Sequence, residues 1–310
     1  MIIGASGYVG SALALGLRDD FEVFGTYYKS PPLWIEGVHS MKMDCLNGNE
    51  ILHTVQRYRP DVVIYCAALA SSAICEQHPL IADALNSRAP ALFFKVLPRA
   101  IPFIYVSCDQ VFMAPGTDPL FRFTEDDDPN PTNELTTSKT KGEGMVLGHT
   151  RMTYVLRVGR IYGERLGSPQ RPRENWVQRV LEHGEASTRI AATDDQWRSS
   201  VYVGDIVRAC RLFLKRAPLS STIFHLCADD ARTEFESARK LLEVWGKDPE
   251  CVVARSLDAL IAEQGVSEPR FSAMSPKRFE TLYNFKFQSL DEGLLELRER
   301  LETGFTQSWL

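Results

Sequence analysis

Short runs of β-branched and aromatic residues alternate with stretches of helical periodicity through the first two-thirds of the chain. Residues 1–3, 21–27, 61–67, 101–107 and 154–158 read as strands, and residues 50–58, 81–97 and 136–147 read as helices. Another helix opens after a glycine-rich turn and runs to Leu17. This order predicts an α/β protein with a Rossmann-type, doubly wound parallel sheet and right-handed crossovers. Beyond about Gly159 the texture changes to longer loops with Pro169, Pro172 and several arginines, followed by short strands and two amphipathic helices. Residues 234–245 place Phe235, Ala238, Leu241, Leu242 and Trp245 on one face, and residues 290–301 do the same with Leu294, Leu295, Leu297 and Leu301. Two lobes are expected. Residues 1–158 form the sheet domain, and 159–310 form a smaller C-terminal α/β substrate lobe, some of whose segments return to the first.

Composition narrows the partners. The 310 residues carry 35 Lys plus Arg against 40 Asp plus Glu, a formal charge of -5, which argues against nucleic acid or an anionic membrane as partner. Seven cysteines without a CxxC pair suit a reduced, cytoplasmic compartment. Six histidines at no zinc spacing predict no resident metal. No apolar run reaches membrane-spanning length, and a glycine-rich turn stands where a basic and then apolar segment would, so neither secretion nor membrane spanning is expected.

Gly4-Ala5-Ser6-Gly7-Tyr8-Val9-Gly10 follows a strand and opens a helix. Glycines at this spacing permit a tight turn and close backbone approach to a pyrophosphate, while the helix N-terminus offers N–H donors. The next strand ends in Gly25-Thr26-Tyr27-Tyr28-Lys29-Ser30, without the acidic residue that would hold the ribose diol of NAD. Lys29, with Ser30 or Thr26, could hold a 2′-phosphate, which favours NADP; the alternative is an ordinary exposed turn lysine. Asp44 is placed to accept from adenine.

Several motifs resemble the extended short-chain dehydrogenase/reductase superfamily, and within it the dTDP-4-dehydrorhamnose reductase subgroup. They are the glycine turn, Asp44-Cys45, Cys66-Ala67-Ala68, Cys75-Glu76-Gln77-His78-Pro79 with Asn86, and Tyr105-Val106-Ser107-Cys108-Asp109-Gln110-Val111-Phe112. Pro131-x-Asn133-x-Leu135-x-x-Ser138-Lys139-x-x-Gly142-Glu143, residues 156–163, 195–200 with Asp205, and 272–277 continue it nearly end to end. The resemblance implies an NADP-dependent reductase acting on an NDP-4-keto-6-deoxy sugar. Gly4, Ser6, Gly7, Tyr8, Val9, Gly10, Lys29, Asp44, Cys66, Ala67, Ala68 and Lys139 would contact the cofactor.

The same resemblance exposes two departures. The family's Tyr-x-x-x-Lys pair keeps its lysine as Lys139, but Leu135 stands at the tyrosine position and cannot donate a proton. The neighbouring Ser/Thr is Cys108, and a thiol is a weaker donor than a hydroxyl. Asp109 matches the acid of the related dehydratases' Asp-Glu pair, but Gln110 replaces the base. Lys139, Cys108 and Asp109 are therefore the catalytic candidates. Thr136, Thr137, Ser138, Tyr105, Tyr162 and Tyr202 are further protic groups, each expected to be structural. The second reading is a regulatory or scaffold protein that binds NADP without turnover, resembling the methionine adenosyltransferase β-subunit. A homodimer or a protein partner stays open.

Arg157, Arg160, Arg165, Arg171, Arg173 and Arg198 lie where the family's lobe closes over a nucleotide diphosphate, and Arg160, Arg198 and Trp176 are the substrate-binding candidates. Trp176 and Trp197 are expected in the seam between lobes, His225 in the core with its hydrogen bonds met, and the run Glu125-Asp126-Asp127-Asp128 in a solvated loop. Only three residues precede Gly4, so the first strand is expected to be short or clipped.

Overall fold

The computed structural model describes residues 1–303 apart from 33, 114–117, 119, 150–151, 165–175, 187 and 219. In chain order its strands are β1 (Ile2–Ile3), β2 (Val23–Tyr27), β3 (Val38–Lys42), β4 (Val63–Tyr65), β5 (Phe103–Cys108), β6 (Thr153–Val158), β7 (Arg160–Tyr162), β8 (Ile190–Thr193), β9 (Arg198–Tyr202), β10 (Thr222–Leu226), β11 (Ala231–Arg232) and β12 (Val252–Arg255). Seven of them form one sheet in the order β10-β6-β5-β4-β1-β2-β3, with every neighbouring pair parallel. The order reverses between β1 and β4, the place where a doubly wound sheet opens a crevice for a ligand. Strand β10 lies beyond residue 159 and returns to extend the sheet beside β6. Strands β11, β9 and β7 form a second sheet, and β12 pairs with β8.

The helices are α1 (Tyr8–Leu17), α2 (Gly48–Tyr58), α3 (Ser72–Gln77), α4 (Pro79–Asp83), α5 (Ala89–Val96), α6 (Glu134–Leu147), α7 (Trp176–Ala186), α8 (Val203–Lys215), α9 (Glu234–Val244), α10 (Leu257–Gln264), α11 (Lys277–Tyr283) and α12 (Leu290–Glu302). Side-chain chemistry fixes several starts. Asn133 with Thr136, Thr233 with Glu236, and Ser289 with Glu292 form reciprocal capping boxes at α6, α9 and α12. Helix α1 is small and apolar, and every residue from Gly10 to Leu17 is buried, which lets it pack closely between the sheet and α8.

Three elements depart from expectation. The helix expected over 81–97 is divided: a π-turn, Ala84–Arg88, separates α4 from α5. Its cause is Asn86, fully buried, whose amide brackets Leu69 by accepting from the Leu69 N–H and donating to the Leu69 carbonyl, both at 3.0 Å. Strand β3 has no counterpart among the expected strands, because Val38-His39-Ser40-Met41-Lys42 is an edge strand with little apolar alternation. The acidic run is not wholly solvated. Glu125 is buried, accepting from the His225 N–H at 3.0 Å and facing Arg278, and burial raises its carboxyl above the usual range.

Candidate active site

The glycine turn has the shape of a phosphate cradle. Gly4 adopts φ +85°, where L side chains rarely sit, and a Cβ there would lie 2.8 Å from the Ala67 nitrogen. A Cβ on Gly10 would meet the Gly4 carbonyl oxygen at 2.3 Å. The loop after β4, Cys66-Ala67-Ala68, thus forms one wall of the turn, and Cys66 N–H donates to the Ile3 carbonyl at 2.9 Å. Helix α1 begins at this point without a side-chain cap, as an N-terminus that receives an anion would. Tyr8 is committed elsewhere, donating its hydroxyl to the Gly163 carbonyl at 2.9 Å. Lys29 stands exposed at the end of β2, its Nζ 5.8 Å from the Tyr28 ring centre. Asp44 accepts from Leu46 N–H at 2.9 Å, so one carboxylate oxygen shapes the turn before α2.

Lys139 is buried on α6 and donates its Nζ to the Val106 carbonyl of β5 at 2.9 Å. Burial lowers its pKa, opposed by the neighbouring Cys108, Cys66 and Glu143. One turn earlier Leu135 is sealed in an apolar cluster with Cys75, Ala82 and Leu69. Of the other six protic candidates, five are occupied, and Thr137 has no side-chain hydrogen bond among the described residues. Thr136 caps α6, and Ser138 receives the Asn86 amide at 2.9 Å. Tyr105 donates to the Asn86 carbonyl at 2.5 Å, Tyr202 to Glu164, and Tyr162 is buried with its hydroxyl 3.5 Å from the Ser289 carbonyl. Burial, reinforced by Asp109, pushes the Cys108 thiol up to about 12, so it stays protonated at neutral pH and is no nucleophile. The Ser107 hydroxyl is buried and has no hydrogen-bond partner among the described residues.

Asp109, next along the chain, ties the end of β5 to β9 and to the segment around Ser272. Its carboxylate receives Arg198 Nε at 2.8 Å and Nη2 at 2.7 Å, a bidentate pair, and the Ser272 hydroxyl at 3.1 Å. Arg198 lines a cavity of about 230 Å³ together with Arg160, Arg179, Arg232, Arg255 and Glu234. Arg160 pairs with Glu234 at 2.8 Å and lies 4.7 Å from the Trp176 ring centre, so Trp176 packs against the arginine beside the cavity. Ser72, Gln110 and Glu268 also belong here: Gln110 donates to Glu268 at 2.7 Å, and Ser72 bonds the other carboxylate oxygen. Sequence reasoning missed this trio because Glu268 lies far along the chain from its donors.

Other candidates fall outside the cavity. Arg157 is a buried structural cation, held by Glu143 at 2.8 Å and packed over the Phe112 ring. Its Nη1 is 3.4 Å from His225 Nε2, and burial and then Arg157 lower the His225 pKa to about 3. Arg165, Arg171 and Arg173 lie outside the described residues. Among the described residues no group of three or more His, Cys, Asp or Glu could hold a metal ion.

The family model for the RmlD substrate binding domain matches residues 1–303. The chain belongs to that family. In sequence it is similar to the probable low-salt glycan biosynthesis reductase Agl14 of Haloferax volcanii, 29% identical over 304 residues and 96% of each chain. It is also similar to methionine adenosyltransferase 2 subunit beta of Bos taurus, 28% identical over 91% of this chain and 81% of the relative. Among solved structures, dTDP-4-dehydrorhamnose reductase from Bacillus anthracis in complex with NADP superposes with a TM-score of 0.81 at 21% identity, covering 96% of this chain and 98% of that one. UDP-glucose 4-epimerase from Thermotoga maritima with UDP-glucose gives 0.81 at 20% identity, with 97% and 98% covered. At these identities the structural likeness establishes the RmlD family's Rossmann-like fold alone.

Proposed function

We propose that this RmlD-family protein is a cytoplasmic NADP-dependent reductase of a nucleotide-linked 4-keto-6-deoxy sugar, with a proton donor other than tyrosine. The observation that carries this reading is contiguity. The arginine-lined cavity begins at Gln110 and Arg198, in contact with Asp109, which directly follows Cys108 at the Lys139 end of the dinucleotide cradle.

The residues present fit the dinucleotide. The turn from Gly4 to Gly10 and the α1 N-terminus would hold the pyrophosphate, Lys29 the 2′-phosphate, Asp44 the adenine and Lys139 the nicotinamide ribose. When bound, the cofactor supplies a hydride. Arg198 and Arg160 would orient the sugar's diphosphate, Trp176 keeps Arg160 in place, and the neutral Cys108 thiol offers a weak hydrogen bond to the substrate oxygen. Titration of the protein's fluorescence with NADPH and NADH tests the premise. NADPH is expected to bind more tightly, with the gap narrowed in Lys29→Ala; equal affinities would remove the NADP preference, and binding of neither would end the reading.

A second reading, a regulatory protein that holds the dinucleotide without turnover, is favoured by the sealing of Leu135 among apolar side chains and by the similarity to the methionine adenosyltransferase subunit. It predicts NADPH binding with no sugar-dependent oxidation.

A further inference from the structure

Among the described residues, two carboxylates line the arginine cavity, Glu234 and Glu268. They are held differently. Glu234 pairs with Arg160 and Arg179, so cations answer its charge directly. Glu268, 8% exposed, is held by two neutral donors: the Ser72 hydroxyl on one oxygen and the Gln110 amide, at 2.7 Å, on the other. A carboxylate has about four lone-pair sites, and one donor on each oxygen leaves about half of them open. An acceptor of this strength in a cavity wall favours a ligand that brings donors to it, since a hydrogen bond to a charged group is stronger than one between neutral groups.

The two donors also show which part of a ligand would meet Glu268. Ser72 opens α3, shortly after the Cys66-Ala67-Ala68 wall of the glycine turn, and Gln110 stands two residues beyond Cys108, the last residue of β5. Glu268 therefore spans the segments that leave β4 and β5, while Arg160 and Arg179 gather around Glu234. A diphosphate is drawn to the arginines and repelled by Glu268. An ammonium group is disfavoured as well, because Arg198 lies close enough to Glu268 for their charges to interact. The donor that suits this place is a hydroxyl.

We infer that Glu268 is a specificity-determining residue: it accepts hydrogen bonds from ring hydroxyls of the glycosyl group, and so selects a hydroxylated sugar over an apolar ring of the same size on the same nucleoside diphosphate. Ser72 and Gln110 act as positioning residues that fix the carboxylate. No covalent step is involved. This inference rests on the nucleotide-sugar reading of the cavity given above and names what reads the sugar within it.

Calorimetric titration of the full chain with dTDP-glucose and with the dTDP ester of cyclohexanol tests it, because the two ligands share charge and ring size and differ in ring hydroxyls. The wild type is expected to prefer dTDP-glucose, and Glu268→Ala to lower that preference about tenfold, the usual worth of a hydrogen bond to a charged group. Equal weakening of both ligands marks Glu268 as a brace of the fold and overturns the inference, as does an unchanged preference. If Glu268→Ala does not fold, Glu268→Gln decides. Its amide can donate to Ser72 and accept from Gln110, and its carbonyl accepts more weakly than a carboxylate, so the preference is expected to fall about threefold; no fall overturns the inference. Binding of neither ligand by the wild type overturns the nucleotide-sugar reading itself, an outcome distinct from binding of both with a preference that Glu268 does not control.

Discussion

Leu135 and Lys139 share one helix, so their mismatch could be read from the sequence before any geometry was known. What the structure adds is the environment: Leu135 is buried among the apolar neighbours Cys75, Ala82 and Leu69. A Leu135→Tyr substitution is therefore expected to overpack, costing about 1–3 kcal/mol in urea unfolding. Combined with Cys108→Thr, it is expected to raise sugar-dependent NADPH oxidation by about 10²–10⁴, the usual worth of a positioned acid. The Asp109–Arg198 pair was not legible, because the two are 89 residues apart and each looked like a separate candidate. His225 carries a pH prediction. Its pKa falls from 6.5 to about 3 on folding, so the unfolded chain binds the extra proton. Stability from this group is complete above about pH 6.5 and is lost as pH falls toward 3, by about 1.4 kcal/mol per unit. Denaturant unfolding between pH 7 and pH 4 should show that slope, reduced in His225→Gln.

At the scale of elements, five of the seven strands of the parallel sheet, β1, β2, β4, β5 and β6, are readable because each is an apolar run bounded by turns, and α9 and α12 because their apolar faces repeat at helical spacing. The π-turn left no such trace. Apolar periodicity runs on through residues 81–97, and the distortion comes from Asn86, whose partners are Leu69 and Ser138 on other segments. Removing that amide in Asn86→Ala leaves the Leu69 N–H and carbonyl without these bonds, with an expected cost of about 1–3 kcal/mol in thermal unfolding. The glycine turn was legible by spacing, and its test is steric. A Gly10→Ala methyl lies 2.3 Å from the Gly4 carbonyl oxygen, so the turn must shift. NADPH affinity is expected to fall along with stability, the latter by about 1–3 kcal/mol, as read by fluorescence titration and unfolding.

For the whole molecule, the segment after α10 ties the large sheet and α6 to the residues before β9. Ser267 accepts from Asn133 Nδ2, Pro269 from Gln196 Nε2, and Ser272 bonds Asp109, so the cavity's position over the end of β5 is held by contacts from both sides. Sequence patterning reaches this only as a texture change near Gly159, since such contacts join residues remote along the chain. The reductase account stands on this joining of a dinucleotide cradle to an anion cavity with a non-tyrosine proton source. Loss of reduced-nicotinamide absorbance, in a mixture of wild-type protein, NADPH and a dTDP-4-keto-6-deoxy sugar, measures it directly. The account predicts a slow, sugar-dependent loss that disappears in Lys139→Met and in Asp109→Asn; no sugar-dependent loss, at concentrations where both NADPH and the sugar are bound, would contradict it.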